Sequence, residues 1–122
     1  MKVIYFVPKC EPRVLDVADT KLSNMQALVG GLVEQIYCET NDNGTGVVVL
    51  FNEEGRLHLL QPNRFLPVKG TDTNVGYQIV GNMVLVATDR DGEWTGLSPM
   101  QVKQWLHISD AWPKLTLAGA QQ

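Results

Sequence analysis

The chain has 122 residues, of which 44% are hydrophobic and 19% charged, the make-up of one ordinary globular domain able to bury a core without disulfides or a metal. Its formal net charge of −3 excludes a general nucleic-acid binder, which needs a basic field, and falls short of the dense negative field of a nucleic-acid mimic. Two cysteines, Cys10 and Cys38, are too few for a disulfide framework and are not spaced as a zinc motif, so each is read as a small apolar residue in or beside a strand.

Lys2 to Val7 is β-branched and aromatic, and Pro8 closes it, which predicts a first strand rather than a signal peptide, since no small-residue cleavage site follows. No apolar run reaches the length of a membrane span, and the expected location is the cytoplasm. Arg13–Val17 predicts a short strand paired back on the first. Ser23 is read as a helix N-cap, with Met25, Leu28 and Val29 on one face. Gly30-Gly31 then ends the helix after about two turns, because glycine takes the left-handed conformation common at helix C-termini. Leu32–Glu39 is a strand of mixed polarity, and Asn41-Asp42-Asn43-Gly44 is a turn. The formal glycosylation acceptor Asn43-Gly44-Thr45 is read as part of that turn.

Val47–Phe51 is continuously apolar, which predicts a central strand covered on both faces. Arg56–Leu60 alternates, with Leu57 and Leu59 on one face, and is expected to form a hairpin with the strand before it. Residues 67–76, rich in Gly, Thr and Asn, read as a loop. Ile79-Val80 and Met83–Ala87 read as one apolar strand with a bulge at Gly81-Asn82. In Leu97-Ser98-Pro99-Met100-Gln101-Val102, Ser98 is an N-cap and Pro99 occupies the first helical position. Gln101 completes a capping box, and Leu97 and Val102 a hydrophobic staple. That helix is expected to run to about His107, with Val102, Trp105, Leu106 and Ile108 as its stripe. The elements predict an α+β fold: a mainly antiparallel sheet of about five strands, one short helix after strand one or two, and a C-terminal helix. Residues 1–108 form a single domain, and 109–122 a tail docked on it or on a second subunit.

The acidic strand end Asn52-Glu53-Glu54 lacks the phosphate loop G-x-x-x-x-G-K-[ST] that a nucleotide hydrolase would need. Asn52 suits a turn in which its side chain bonds the backbone two residues on, and Gly55 suits the left-handed position of a three-residue hairpin. Turn chemistry leaves Glu53 and Glu54 unexplained. They are either solvated acids or a contact for a cation or a basic partner. Asp89–Glu93 fails the calcium-loop spacing and reads as a β-turn. His58 and His107 have no Cys or carboxylate at metal-ligand spacing, and no G-x-S-x-G elbow occurs. No catalytic residue, metal or cofactor is therefore expected. In Gln61-Pro62-Asn63-Arg64, Pro62 and Asn63 have turn reasons, whereas Arg64 either bonds backbone carbonyls or a nearby acid, or faces an anion. Arg64, Asn63, Arg56, Glu53 and Glu54 are the candidate binding residues, for a protein or an anionic ligand.

Several pieces together resemble a family of small domains of unknown function found mostly in bacteriophages, plasmids and their bacterial hosts. They are Lys2-Val3-Ile4 ending near Pro8, Val29-Gly30-Gly31-Leu32-Val33-Glu34, Asn52-Glu53-Glu54-Gly55-Arg56 and Leu60-x-Pro62-Asn63-Arg64. Val80-Gly81 and Leu97-Ser98-x-x-Gln101 fit as well, so the likeness spans about residues 1 to 106. The resemblance implies a non-enzymatic accessory protein of a phage or other mobile genetic element. Its expected role is anti-defence, by stoichiometric binding to a host defence protein such as a CRISPR effector. The alternative is a nucleotide-binding protein that sequesters a cyclic-nucleotide-type immune signal, with Arg64 facing a pocket at the interface of a homodimer. A cryptic hydrolase ranks third.

Overall fold

A computed structural model describes residues 1–67 and 75–116. In chain order the elements are β1 (Lys2–Phe6), β2 (Arg13–Asp16), α1 (Leu22–Val29), β3 (Val33–Thr40), β4 (Gly46–Asn52), β5 (Pro62–Pro67), β6 (Gly76–Val80), β7 (Met83–Thr88), β8 (Trp94–Thr95) and α2 (Pro99–Asp110). The fold is α+β, with a mostly antiparallel main sheet and one C-terminal helix. That sheet has six strands, in the order β2-β1-β7-β4-β3, with β8 on β7, and β5 and β6 form a separate two-stranded sheet. The strand count exceeds the five expected because β8 and the β5–β6 pair carry weak sequence signals.

Every residue of β7, and of β4 except the half-buried Phe51, is shut off from solvent. Alternate side chains therefore feed two cores. Val48, Leu50, Val84 and Val86 join Val3 and the α1 residues Met25 and Val29 on one face. Val47, Val49, Met83, Leu85 and Ala87 join Ile4, Phe6, Leu66, Ile79, Trp105 and Trp112 on the other. The apolar run of Val47–Phe51 thus reports burial on both faces, as its sequence predicts.

The first helix ends as the glycines require. Gly30 has φ +82°, and its N–H and that of Gly31 both reach Gln26 O. Its start departs from expectation, because the N-cap is Lys21 and not Ser23. Asp19 supports the start from outside, accepting from Lys21 N and Asn24 Nδ2 through Oδ1. In α2 the predicted capping box forms, with Gln101 N donating to Ser98 Oγ and Ser98 N donating to Gln101 Oε1. The helix continues to Asp110 rather than stopping near His107, and Val102, Trp105, Leu106 and Ile108 face the core as the stripe predicts.

Two further expectations fail. Residues 56–60 form no strand; β4 pairs instead with β3 and β7. Residues 53–60 wind through consecutive turns, with Gly55 N donating to Asn52 O, His58 N to Glu54 O and Leu60 N to Gly55 O. Leu57 and Leu59 project outward, and Leu59 is 90% exposed at φ +55°. Gly81-Asn82 is not a bulge either. Gly81 turns at φ +76° between β6 and β7, which belong to different sheets. The loop predicted at 67–76 lies mostly outside the described residues, as does the tail from residue 117.

Leu50→Ala should destabilise the domain by about 2–5 kcal/mol, the usual cost of emptying a packed leucine site. Leu59→Ala should stay within about 0.5 kcal/mol, since that side chain is already in water. Urea unfolding of the two variants checks the contrast. Similar losses for both would contradict this assignment of 53–60.

Candidate functional site

Two polar knots interrupt the apolar sequence here, and the first, Asn52-Glu53-Glu54-Gly55, is a backbone clamp. Asn52 is buried, and its Oδ1 accepts from Glu54 N at 2.8 Å, the bond to the backbone two residues on that turn chemistry predicts. Its Nδ2 donates to Val29 O at 3.4 Å, satisfying a carbonyl at the end of α1. A Cβ on Gly31 would come within 2.8 Å of Asn52 Nδ2, so this glycine is there for space. Gly55 does not take a left-handed conformation. Its need is also space, because a Cβ would lie 2.9 Å from Val80 Cγ2. Glu53 is exposed and Glu54 half-buried. Glu53 contributes a backbone bond from its N–H to Leu32 O at 2.8 Å. Arg56 is exposed, and its Nη2 donates to Gln78 O in β6 at 2.8 Å.

The second polar knot, Gln61-Pro62-Asn63-Arg64, is internal from Pro62 onward. A register shift between Pro62 and Arg64 in the β5–β6 pair bulges the strand at Asn63, and the side chains of Asn63 and Arg64 are both buried. Asn63 Nδ2 donates to Phe6 O at 2.9 Å and to Gly81 O at 2.7 Å. Arg64 Nη1 donates to Asn63 Oδ1 at 2.8 Å and Nη2 to Cys10 O at 2.5 Å, while the guanidinium sits 5.6 Å from the centre of the Phe6 ring. Burial pulls the Arg64 pKa below its ordinary value, and the nearby Glu11 and Cys10 oppose that shift. The segment after α2 closes over this knot, with Phe65 N donating to Pro113 O and Leu115 N to Asn63 O. Outside it, the exposed Glu11 is paired with Lys114, whose hydrogen bond and charge hold the carboxyl below the usual range. Arg64 therefore takes the carbonyl-bonding alternative and does not present its guanidinium to solvent. The structure places Asn63 and Arg64 together, and sets Glu53, Glu54 and Arg56 apart on the turn-rich loop.

A concavity of about 740 Å³ lies elsewhere, between the edge strand β3, the β5–β6 hairpin and α2. β3 contributes Glu34, Ile36, Cys38 and Glu39. The opposite walls are Leu66 and Tyr77 from the hairpin and Trp105, Ile108 and Trp112 from the C-terminal region. None of the five candidate residues lines it. Tyr77 is half exposed at its rim, whereas Tyr37, also half exposed, pairs with Val48 of the α1-side core and so turns its side chain to the other face of β3. The indole N–H of Trp105 is buried without an acceptor among the described residues. β3 bears an irregularity between Tyr37 and Glu39, and Cys38 is the extra residue. Burial pushes the Cys38 thiol up to about 12. The sequence carried one signal of this groove: the mixed polarity of Leu32–Glu39, which marks a strand at a sheet edge rather than inside it.

Apolar cores on both faces of the main sheet, with Asn52, Asn63 and Arg64 spent on backbone clamps, describe a domain held by internal bonds. The family described as Domain of unknown function (DUF3846) matches residues 1–109, and the chain belongs to it. No curated protein and no solved structure matches the chain.

Arg64→Ala should cost about 2–4 kcal/mol, because it strands the buried Asn63 Oδ1 and the Cys10 carbonyl without donors. Arg64→Lys should recover little of this, since an ammonium cannot reproduce the planar fork. Unfolding free energies measure both, and wild-type stability in Arg64→Ala would refute the structural role. At pH 8, iodoacetamide should modify the exposed Cys10 quickly and Cys38 slowly until the chain is unfolded. Because the folded-state pKa of Cys38 is raised from 9.0 to about 12, its linkage contribution to stability is present below pH 9.0 and is lost as the pH rises toward about 12. Peptide mapping of the alkylated sites and alkaline unfolding curves of wild type and Cys38→Ala check these statements.

Proposed function

We propose that the domain acts without catalysis, by binding a partner polypeptide stoichiometrically at the β3 edge and the groove beside it. The observation that carries this reading is the edge of β3, unpaired among the described residues, alongside a concavity with the half-exposed Tyr77 at its rim. An edge strand offers unpaired backbone donors and acceptors. An adjacent apolar groove receives alternate side chains of whatever strand pairs there, and exposed tyrosines are frequent anchors of such contacts.

The reading fits the anti-defence role that the resemblance implies, in which the partner is a host defence protein and the domain blocks it by occupancy. A phage or mobile-element setting belongs to the same proposal. Sequestration of a nucleotide is the weaker reading, because its key residue, Arg64, gives its bonds to Asn63 and Cys10 inside the fold.

Affinity capture followed by cross-link mapping tests the proposal. Cross-links to a stoichiometric partner should concentrate on residues 33–40, 77 and 104–112. Tyr77→Ala should weaken the complex by about tenfold or more without changing the unfolding midpoint. Native mass spectrometry with a panel of cyclic nucleotides supplies the opposing result. A nucleotide retained at one per chain, or per dimer, would overturn the polypeptide reading in favour of sequestration, and a released product would overturn it in favour of hydrolysis.

A further inference from the structure

Resting on that reading, we infer that the occupant of the β3 edge is an extended segment with two basic side chains flanking an apolar one, in the pattern basic-x-apolar-x-basic. The register of β3 on β4 fixes which residues face the groove. Glu34 pairs with Phe51, Ile36 with Val49 and Glu39 with Val47. Those β4 residues all face the α2-side core, and cross-strand partners share a face. The groove face of the edge strand therefore reads acid, apolar, acid. Ile36 and the bulged Cys38 pack toward the core, Glu34 is exposed and Glu39 half-buried.

Among the described residues that line the groove, Glu34 and Glu39 are the charged ones, and no Lys, Arg or His stands with them. Two cations that the structure places are occupied elsewhere: Lys114 pairs with Glu11 and Arg64 lies in the buried knot. Neither carboxylate has an ion-pair partner among the described residues. A strand laid along β3 carries side chains at a period of two on the groove face. Its basic residues meet Glu34 and Glu39, and its central apolar residue lies over Ile36 toward Trp105 and Trp112. A backbone carbonyl of the incoming chain is also the kind of acceptor that the Trp105 N–H lacks.

The same charges argue against a second copy in this seat. An antiparallel β3–β3 pair centred between Ile36 and Tyr37 sets Glu34 directly opposite Glu39, and like charges directly opposite destabilise a pair. The irregularity at Cys38 further breaks the repeat that a symmetric pairing would use.

A set of fluorescent synthetic peptides, each about as long as the eight-residue β3, tests the inference. Their central residue is leucine, and the two flanking groove-facing positions are Lys, Gln or Glu. The Lys peptide should bind the full chain, weaken as salt is raised, and protect the amides of residues 33–40 from hydrogen exchange. The double variant Glu34→Gln, Glu39→Gln should fold normally and bind the Lys peptide at least about tenfold more weakly. Equal binding of the Lys and Gln peptides, with β3 protected and the double variant unaffected, would overturn the basic pattern while leaving the polypeptide reading intact. Peptide binding that leaves β3 unprotected would overturn the seat itself, as would no binding by any peptide. Concentration-dependent dimerisation that protects β3 without peptide would show a second copy to be the occupant and overturn the inference.

Discussion

The side-chain amide of Asn63 is the point on which the arrangement of layers depends. Its Nδ2 holds two backbone carbonyls at once, Phe6 O at the end of β1 and Gly81 O at the turn into β7. Those strands are neighbours in the main sheet, whereas Asn63 belongs to the other sheet. One buried amide thus fixes the β5–β6 hairpin against the sheet at the place where β6 hands the chain to β7. Arg64 then fills the other side of the amide by donating to its Oδ1, which settles the amide orientation as well. Each buried polar atom in the knot is bonded to another, the condition under which such a network specifies a structure rather than weakening it. Leu66 and Tyr77, one wall of the groove, stand on that hairpin, so the shape of the groove is inherited from the knot.

Seen from the knot, the glycine and polar pieces of the sequence form two clamps. Val29-Gly30-Gly31 and Asn52 make one: the left-handed Gly30 ends α1, Gly31 leaves room for the Asn52 amide, and that amide takes the Val29 carbonyl. Leu60, Asn63, Arg64 and Gly81 make the other. The Leu60 side chain occupies the space where a Cβ on Gly81 would sit, within 2.7 Å, and Gly81 N donates to Gln61 O. Tyr5 joins the two, donating through its hydroxyl to Leu28 O and accepting from Asn82 Nδ2. These residues are held in place by what the backbone needs.

This division explains what could be read from the chain. Apolar runs covered on both faces, the capping box at Ser98 and the glycine stop at Gly30 are local statements, and each appears in the structure where the sequence puts it. Arg56–Leu60 misleads because a two-leucine alternation is too short to distinguish a strand from consecutive turns, and Leu60, outside the alternation, is the residue that packs. Gly81 misleads for a different reason. A glycine between two apolar segments looks the same whether the chain continues in one sheet or crosses to another, and the choice is made by Asn63, eighteen residues earlier. Arg64 has no local explanation beyond Asn63 because its other partners, Cys10 O and the Phe6 ring, are more than fifty positions away. The groove was least legible, since its walls come from four elements that only the tertiary fold assembles.

The acidic edge of β3 follows from the same constraints. A six-stranded antiparallel sheet that is not closed must leave edges, and an unguarded edge is a template for aggregation. β2 is short, with Asp16 tied to the amino terminus and Lys2. β3 is the longest strand of the fold and cannot rely on brevity. Glu34, Glu39 and the irregularity at Cys38 supply its protection, since charges and bulges both discourage another copy from adding itself. The devices that repel an identical strand are selective rather than absolute. A strand bearing cations at the matching period finds the same backbone groups open and the same charges attractive. On the proposed reading, protection of the edge and choice of partner are two consequences of one pattern, acid-apolar-acid, on the groove face of β3.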